Sequence, residues 1–258
     1  MKTMLALLLL AGCASKPRWE QGTVAGGATA KSYAYRDISG EYEVHREVRP
    51  QGMKLATRTS LNAPGEGAKL LEKTFAVSHY GSVKARGGRL PAARPELAQH
   101  TVWLEKKKYF SQLKLLPKEK KLEVVMQSPE TKWQGRRLLA VPSGRVFCFF
   151  SQLPECLQMS GLLGEVAAGR APRAAFHIVW DSYPYHQEHF SGLNPEVFAS
   201  ARLSLERVVQ GRHQFTVEVA EQVIGLHFSK AGEFVRMFWT AQGLSVLPPG
   251  EAAQEAQL

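Results

Sequence analysis

The chain has 258 residues, of which 44% are hydrophobic and 22% charged. That balance excludes an intrinsically disordered chain and leaves enough length for one sizeable hydrophobic core. Lysine and arginine outnumber aspartate and glutamate by 33 to 23, a formal net charge of +10, so any charged partner is expected to be acidic.

Taken in order, the chain opens with Lys2, an apolar run from Met4 to Leu10, and then Ala11, Gly12 and Cys13. The run is far short of the roughly 20 residues that span a bilayer, and small residues at its end mark a cleavable signal peptide. Leu10-Ala11-Gly12-Cys13 closely resembles the lipobox of bacterial lipoproteins. The resemblance covers the first thirteen residues and implies that Cys13 is lipidated, that cleavage falls just before it, and that its new amino terminus is acylated too, commonly with palmitate. The residue after the cysteine is Ala14 rather than aspartate, which in that family implies the outer membrane, with the protein facing the periplasm. Each buried methylene contributes about 0.8 kcal/mol, so two or three acyl chains hold the protein firmly to the membrane. The expected organisation is a signal peptide over 1–12, lipidated Cys13 and a flexible Ala- and Gly-rich tether over 13–32, a single β-rich domain over 33–247, and a disordered tail over 248–258.

From Tyr42 the dominant period is two. Tyr42, Val44 and Val48 alternate with Glu41, Glu43, His45, Glu47 and Arg49, and Met53, Leu55, Thr57, Thr59 and Leu61 continue the pattern after Pro50-Gln51-Gly52. This is the mark of strands with one buried and one wet face. Short strands are expected at Phe75 to Tyr80 and Val83 to Arg86, then a loop from Gly87 to Pro95. Three strands follow at Thr101 to Glu105, Tyr109 to Leu115 and Leu122 to Gln127, with Lys106, Lys107 and Lys108 in one turn and Lys118, Lys120 and Lys121 in the next. Successive turns lie at opposite ends of a sheet, so these lysines do not form one groove and no nucleic-acid partner is expected. Arg137 to Val141 reads as a further strand, Val146 to Phe150 as a central one, and Pro154 to Ala168 as a helix weakened by Gly161 and Gly164. Strands return at Phe176 to Trp180, Leu203 to Val209, Phe215 to Val219, Leu226 to Phe228 and Phe234 to Trp239. The fold class is therefore mainly β, a large antiparallel curled sheet or half-barrel with one or two short helices.

Apart from Cys13 the cysteines are Cys148 and Cys156. In an exported protein such a pair is most simply a disulfide, contributing about 2 to 3 kcal/mol by restricting the unfolded chain; two buried thiols are the alternative. Trp103, Trp133, Trp180, Trp239, Tyr183 and Tyr185 are candidates to line a concave sheet and contact a ligand. His177, Asp181, His186 and His189 could hold a metal or relay protons, but their spacing matches no helical metal motif and Pro184 interrupts any regular element there. No G-x-S-x-G elbow and no phosphate-binding glycine loop is present.

These residues suggest a non-enzymatic envelope protein without a cofactor, anchored to the membrane by its lipid and binding an apolar ligand or a protein partner. Its layout resembles the half-barrel of the periplasmic lipoprotein carrier and its outer-membrane receptor, with no motif to carry over. A metal-dependent or acid–base hydrolase built on the histidine-rich stretch, and a complex-assembly lipoprotein, are the rivals.

Overall fold

A computed structural model of the chain describes residues 30–63, 69–85, 88–104, 106–185, 187 and 195–248. The lipobox, Cys13 and the tether up to residue 29 lie outside them, as does the expected tail from residue 249. The fold is mainly β, as the alternation requires, and its strands divide into two sheets.

The first is an eight-stranded antiparallel meander in chain order: β1 (Lys31–Arg36), β2 (Glu43–Gln51), β3 (Lys54–Ala63), β4 (Lys69–Ala85), β5 (Gly88–Leu104), β6 (Lys107–Leu116), β7 (Lys121–Gln127) and β8 (Gly135–Ala140). After it come β9 (Phe147–Phe149), a 3-10 turn (Phe150–Gln152), α1 (Leu153–Met159) and α2 (Leu162–Ala167). The second sheet then assembles from β10 (Ala174–Val179), β11 (Phe198–Val209), β12 (Arg212–Val219), β13 (Gln222–Phe228), β14 (Phe234–Trp239) and β15 (Leu244–Val246), with β9 parallel to β10 at its end. It curls into a half-barrel.

The inner faces of the two sheets share one apolar core, with Leu55, Ala76, Leu113 and Val124 from the first and Phe215, Val217, Ile224 and Leu226 from the second. Two seams close the stack. Arg36 and Leu247 exchange backbone hydrogen bonds of 2.8 and 3.1 Å, and the Ala93 amide donates to the Arg145 carbonyl at 3.1 Å.

The segment from Gly87 to Pro95, expected as a loop, belongs to β5 from Gly88 onward, which pairs with β4 as far as Ala85. Proline is tolerated there for a positional reason. Pro91, Ala93 and Pro95 share one parity, and the Ala93 amide points away from β4 to Arg145. The missing amide hydrogens of the prolines thus face the side that β6 does not reach, since β6 pairs with β5 only from Leu97 on. Val146 to Phe150, expected as a central strand, supplies β9, which ends the second sheet; it pairs with β10 along one edge, is bridged to Ala93 of β5 at Val146 on the other, and packs against α1. The single expected helix is broken into α1 and α2 at Gly161, whose φ of +76° is a left-handed conformation that favours glycine.

Asp37, immediately after β1, fastens the first seam. Its carboxylate accepts hydrogen bonds from the Ser245 hydroxyl (2.7 Å), the Ser245 amide (3.2 Å), the Ser39 amide (3.0 Å) and the Ser39 hydroxyl. Burial alone would raise its pKa, but the donors from Ser39 and Ser245 outweigh it and hold the carboxyl below its usual range. A lowered folded pKa means that this stabilisation is fully present above the unfolded value of about 3.9 and is lost as pH falls through the folded one. Urea midpoints measured from pH 6 down to pH 2 should therefore fall less steeply below about pH 4 in Asp37→Asn than in the parent. Parallel curves for the two proteins would remove Asp37 from the acid response.

Candidate ligand-binding site

Alternation places Val44 and Val48 of β2 on the inner face, and Arg46 has the same parity. Its guanidinium is therefore carried into the interior, where its side chain is only 6% exposed. A buried cation needs a partner. Glu155 of α1 supplies one in bidentate geometry, with Nη1 to Oε1 at 2.9 Å and Nη2 to Oε2 at 2.8 Å, and Nη2 also donates to the Ser151 carbonyl at 2.7 Å. Burial disfavours the charged guanidinium, but Glu155 more than offsets it and the pKa of Arg46 rises.

A second tie lies one turn earlier. The Gln152 side chain is fully buried; its amide donates to the Ala76 carbonyl (2.9 Å) and the Thr57 hydroxyl (3.1 Å), and its oxygen accepts from the Ser78 hydroxyl (2.5 Å). The disulfide between Cys148 and Cys156 links β9 to α1. The turn and α1 thus form a plug between the sheets, held to β2, β3 and β4 by side chains distant in sequence.

The plug does not fill the whole space. A cleft of about 150 Å³ remains between it and the two sheet ends. Val44 and Leu61 face it from β2 and β3, Phe234 and Met237 from β14, Leu244 and Val246 from β15, and Phe150 and Pro154 from the plug. Leu61, Phe234, Met237 and Leu244 are half-buried and give the cleft an apolar rim; Arg46, Glu72 and Asp181 add polar groups to its wall. An apolar cavity of about this size holds one aromatic ring or a short alkyl segment.

The aromatic residues expected to line a concave sheet are distributed differently. Trp180 and Trp239 are fully buried and stacked at 5.7 Å, with the Phe150 ring 5.0 and 5.3 Å from them. They back the cleft wall through Phe150 and do not face the cleft. Trp239 ends β14 and Trp180 follows β10, and both are buried where the plug packs its Phe150 ring against that end of the second sheet. Tyr183 is buried in the same core. Tyr185 crosses to the first sheet, where its hydroxyl donates to the Phe110 carbonyl at 2.9 Å and its ring meets Tyr109 edge-on; burial pushes its pKa up to about 12. Trp103 stands half-buried on the outer face of β5 with the Lys73 ammonium 5.6 Å from its ring, and Trp133 lies in a 3-10 turn after β7 beneath Lys132.

The histidine-rich stretch is not brought together among the described residues. His177 packs its ring edge-on against Phe147 at 5.0 Å, and burial lowers its pKa. Asp181 is 2% exposed, and its carboxylate accepts from the amide (3.2 Å) and hydroxyl of Ser151, holding the start of the plug. No group of three or more metal-ligating side chains occurs among the described residues, and His186 and His189 lie outside them.

Arg46, Gln152 and Glu155 are the residues that inspection of the sequence misses. Only Arg46 carries a signal, its parity with Val44 and Val48 on a face that should be apolar. Comparison with protein-family models, with curated proteins and with solved structures finds no match.

Proposed function

We propose that the chain is a non-enzymatic, lipid-anchored protein of the bacterial outer membrane that binds a small apolar group, carried by a lipid or by a protein partner, between its two sheets. The observation that carries this reading is the apolar cleft of about 150 Å³ whose rim, Leu61, Phe234, Met237 and Leu244, is half-exposed. Half-exposed apolar side chains around the cleft gain from a ligand that removes them from water, at roughly 25 cal/mol per Å². The lipobox at Leu10 to Cys13 supports the anchor, and the Cys148–Cys156 disulfide suits an oxidising compartment outside the cytoplasm.

Benzene is a probe of the right volume. Its addition to the mature protein in non-ionic detergent should shift the methyl NMR signals of Val44, Leu61 and Met237 saturably. Val44→Phe, which fills the cleft from β2, should abolish those shifts while the protein stays folded. Absence of saturable shifts in the parent, or their persistence in Val44→Phe, would reject the cleft as the binding site.

A further inference from the structure

The outer face of the eight-stranded sheet should be simply wet, yet it carries a groove of about 1100 Å³. Pairing register lays two adjacent rows of side chains across its strands. One runs Glu47, Arg58, Phe75, Gln99 and Gln112; the other runs His45, Ser60, Lys73, Thr101 and Phe110. At about 4.8 Å per strand, each row of five spans roughly 20 Å.

Cations stand beside aromatic rings within the first row and at the end of the second, where Trp103 follows Thr101 on β5 outside the groove lining. Arg58 lies 5.9 Å from the centre of Phe75, and Lys73 lies 5.6 Å from that of Trp103, next to Phe110 and the exposed Lys108. Among the described residues Glu47 is the one carboxylate lining the groove, and it is engaged by Arg49 at 2.8 Å and by Arg58 at 4.0 Å. Among the described residues no carboxylate is within ion-pair distance of Lys73 or Lys108. Beside the charges lie the Gln99–Gln112 amide pair (2.9 Å) and the hydroxyls of Ser32 and Ser60.

We propose that this groove binds an acidic polysaccharide chain of the cell envelope. Aromatic rings present flat apolar faces to sugar rings, the amides and hydroxyls match sugar hydroxyls, and Arg58, Lys73 and Lys108 match carboxylate or phosphate groups. A concave groove about 20 Å across accommodates a strand-like polymer and not the plane of a bilayer. The proposal rests on the envelope location proposed above, but it is independent of the inter-sheet cleft, which opens on the opposite face of the same sheet.

Calorimetric titration of the full mature chain in non-ionic detergent tests it, with polygalacturonate oligomers as the acidic probe, dextran as the neutral one and oligo-dT as the nucleic-acid one. Saturable polygalacturonate binding is expected at low salt, weakening as salt is added, with no binding of dextran and weaker binding of oligo-dT. Lys73→Gln and Lys108→Gln should each weaken polygalacturonate binding about tenfold and leave benzene binding at Val44 and Leu61 unchanged. Both lysines are exposed, so neither variant should impair folding. No saturable binding of polygalacturonate, undiminished affinity in the Lys73→Gln/Lys108→Gln double variant, or tighter binding of oligo-dT would each overturn the proposal. Loss of benzene binding alone would count against the cleft and leave the groove standing.

Discussion

Replacement of Arg46 by Ala is expected to destabilise the protein by about 3 to 5 kcal/mol, because it strands the Glu155 carboxylate in the interior. With the guanidinium gone, Glu155, whose side chain is 14% exposed, loses both arms of its bidentate contact, and the Ser151 carbonyl loses a charged donor. The cost arises from the uncompensated charge more than from any net gain the pair provides, since removing two ions from water nearly cancels their attraction. That distinction can be measured. An Arg46→Met/Glu155→Leu variant, which removes both charges and keeps apolar volume, should recover most of the stability lost in Arg46→Ala. Urea unfolding with an unchanged m-value would establish both figures. If the double variant is as unstable as the single one, packing rather than an unpaired charge explains the loss. Arg46 also walls the cleft and, through Glu155 and Ser151, holds the plug. Arg46→Ala should therefore weaken benzene binding as well, whereas the double variant retains an apolar wall.

The second large effect is expected at Trp239. Trp239→Ala should cost about 3 to 5 kcal/mol, the range for deleting a fully buried large aromatic side chain. Its ring stacks on Trp180 with planes only 12° apart and touches Phe150, while its Nε1 donates to the Gln222 side-chain oxygen at 2.8 Å. Trp239→Phe keeps part of the ring packing and leaves Gln222 another donor, the Gln242 amide at 2.7 Å, so its cost should be well below that of the alanine variant. Thermal or urea unfolding of the two variants would show this order. A cost under about 1 kcal/mol for Trp239→Ala would place the indole at the edge of the core instead of within it.

Much of the fold was legible because alternation is a local property. The runs from Val44 to Leu61 and from Thr101 to Gln127 contain their own period, so strands, turns and meander could be read without tertiary information. The loop expected over Gly87 to Pro95 gives way to a strand from Gly88 onward for the opposite reason: glycine and proline mark a loop locally, and only the flank of β5 that β6 does not cover lets Pro91 and Pro95 sit in a strand. The tryptophans show a third case. Burial of Trp180 and Trp239 requires that β14 and the end of β10 face the same plug residue, Phe150, which no window of sequence contains.

The sequence by itself determined the mainly β character of the chain and the resemblance of Leu10 to Cys13 to an export and lipidation signal, since each depends on neighbouring residues alone, whereas Lys107, Lys108 and Lys121, expected in turns, stand in β6 and β7. Tertiary structure decided the division into two sheets, the plug, the cleft and the outer groove. An alternating strand has two faces, and its own residues do not say which neighbour will cover one of them or how the other will bend. Those outcomes depend on contacts such as Arg46 with Glu155 and Gln152 with Ala76, between side chains more than 70 residues apart in the chain.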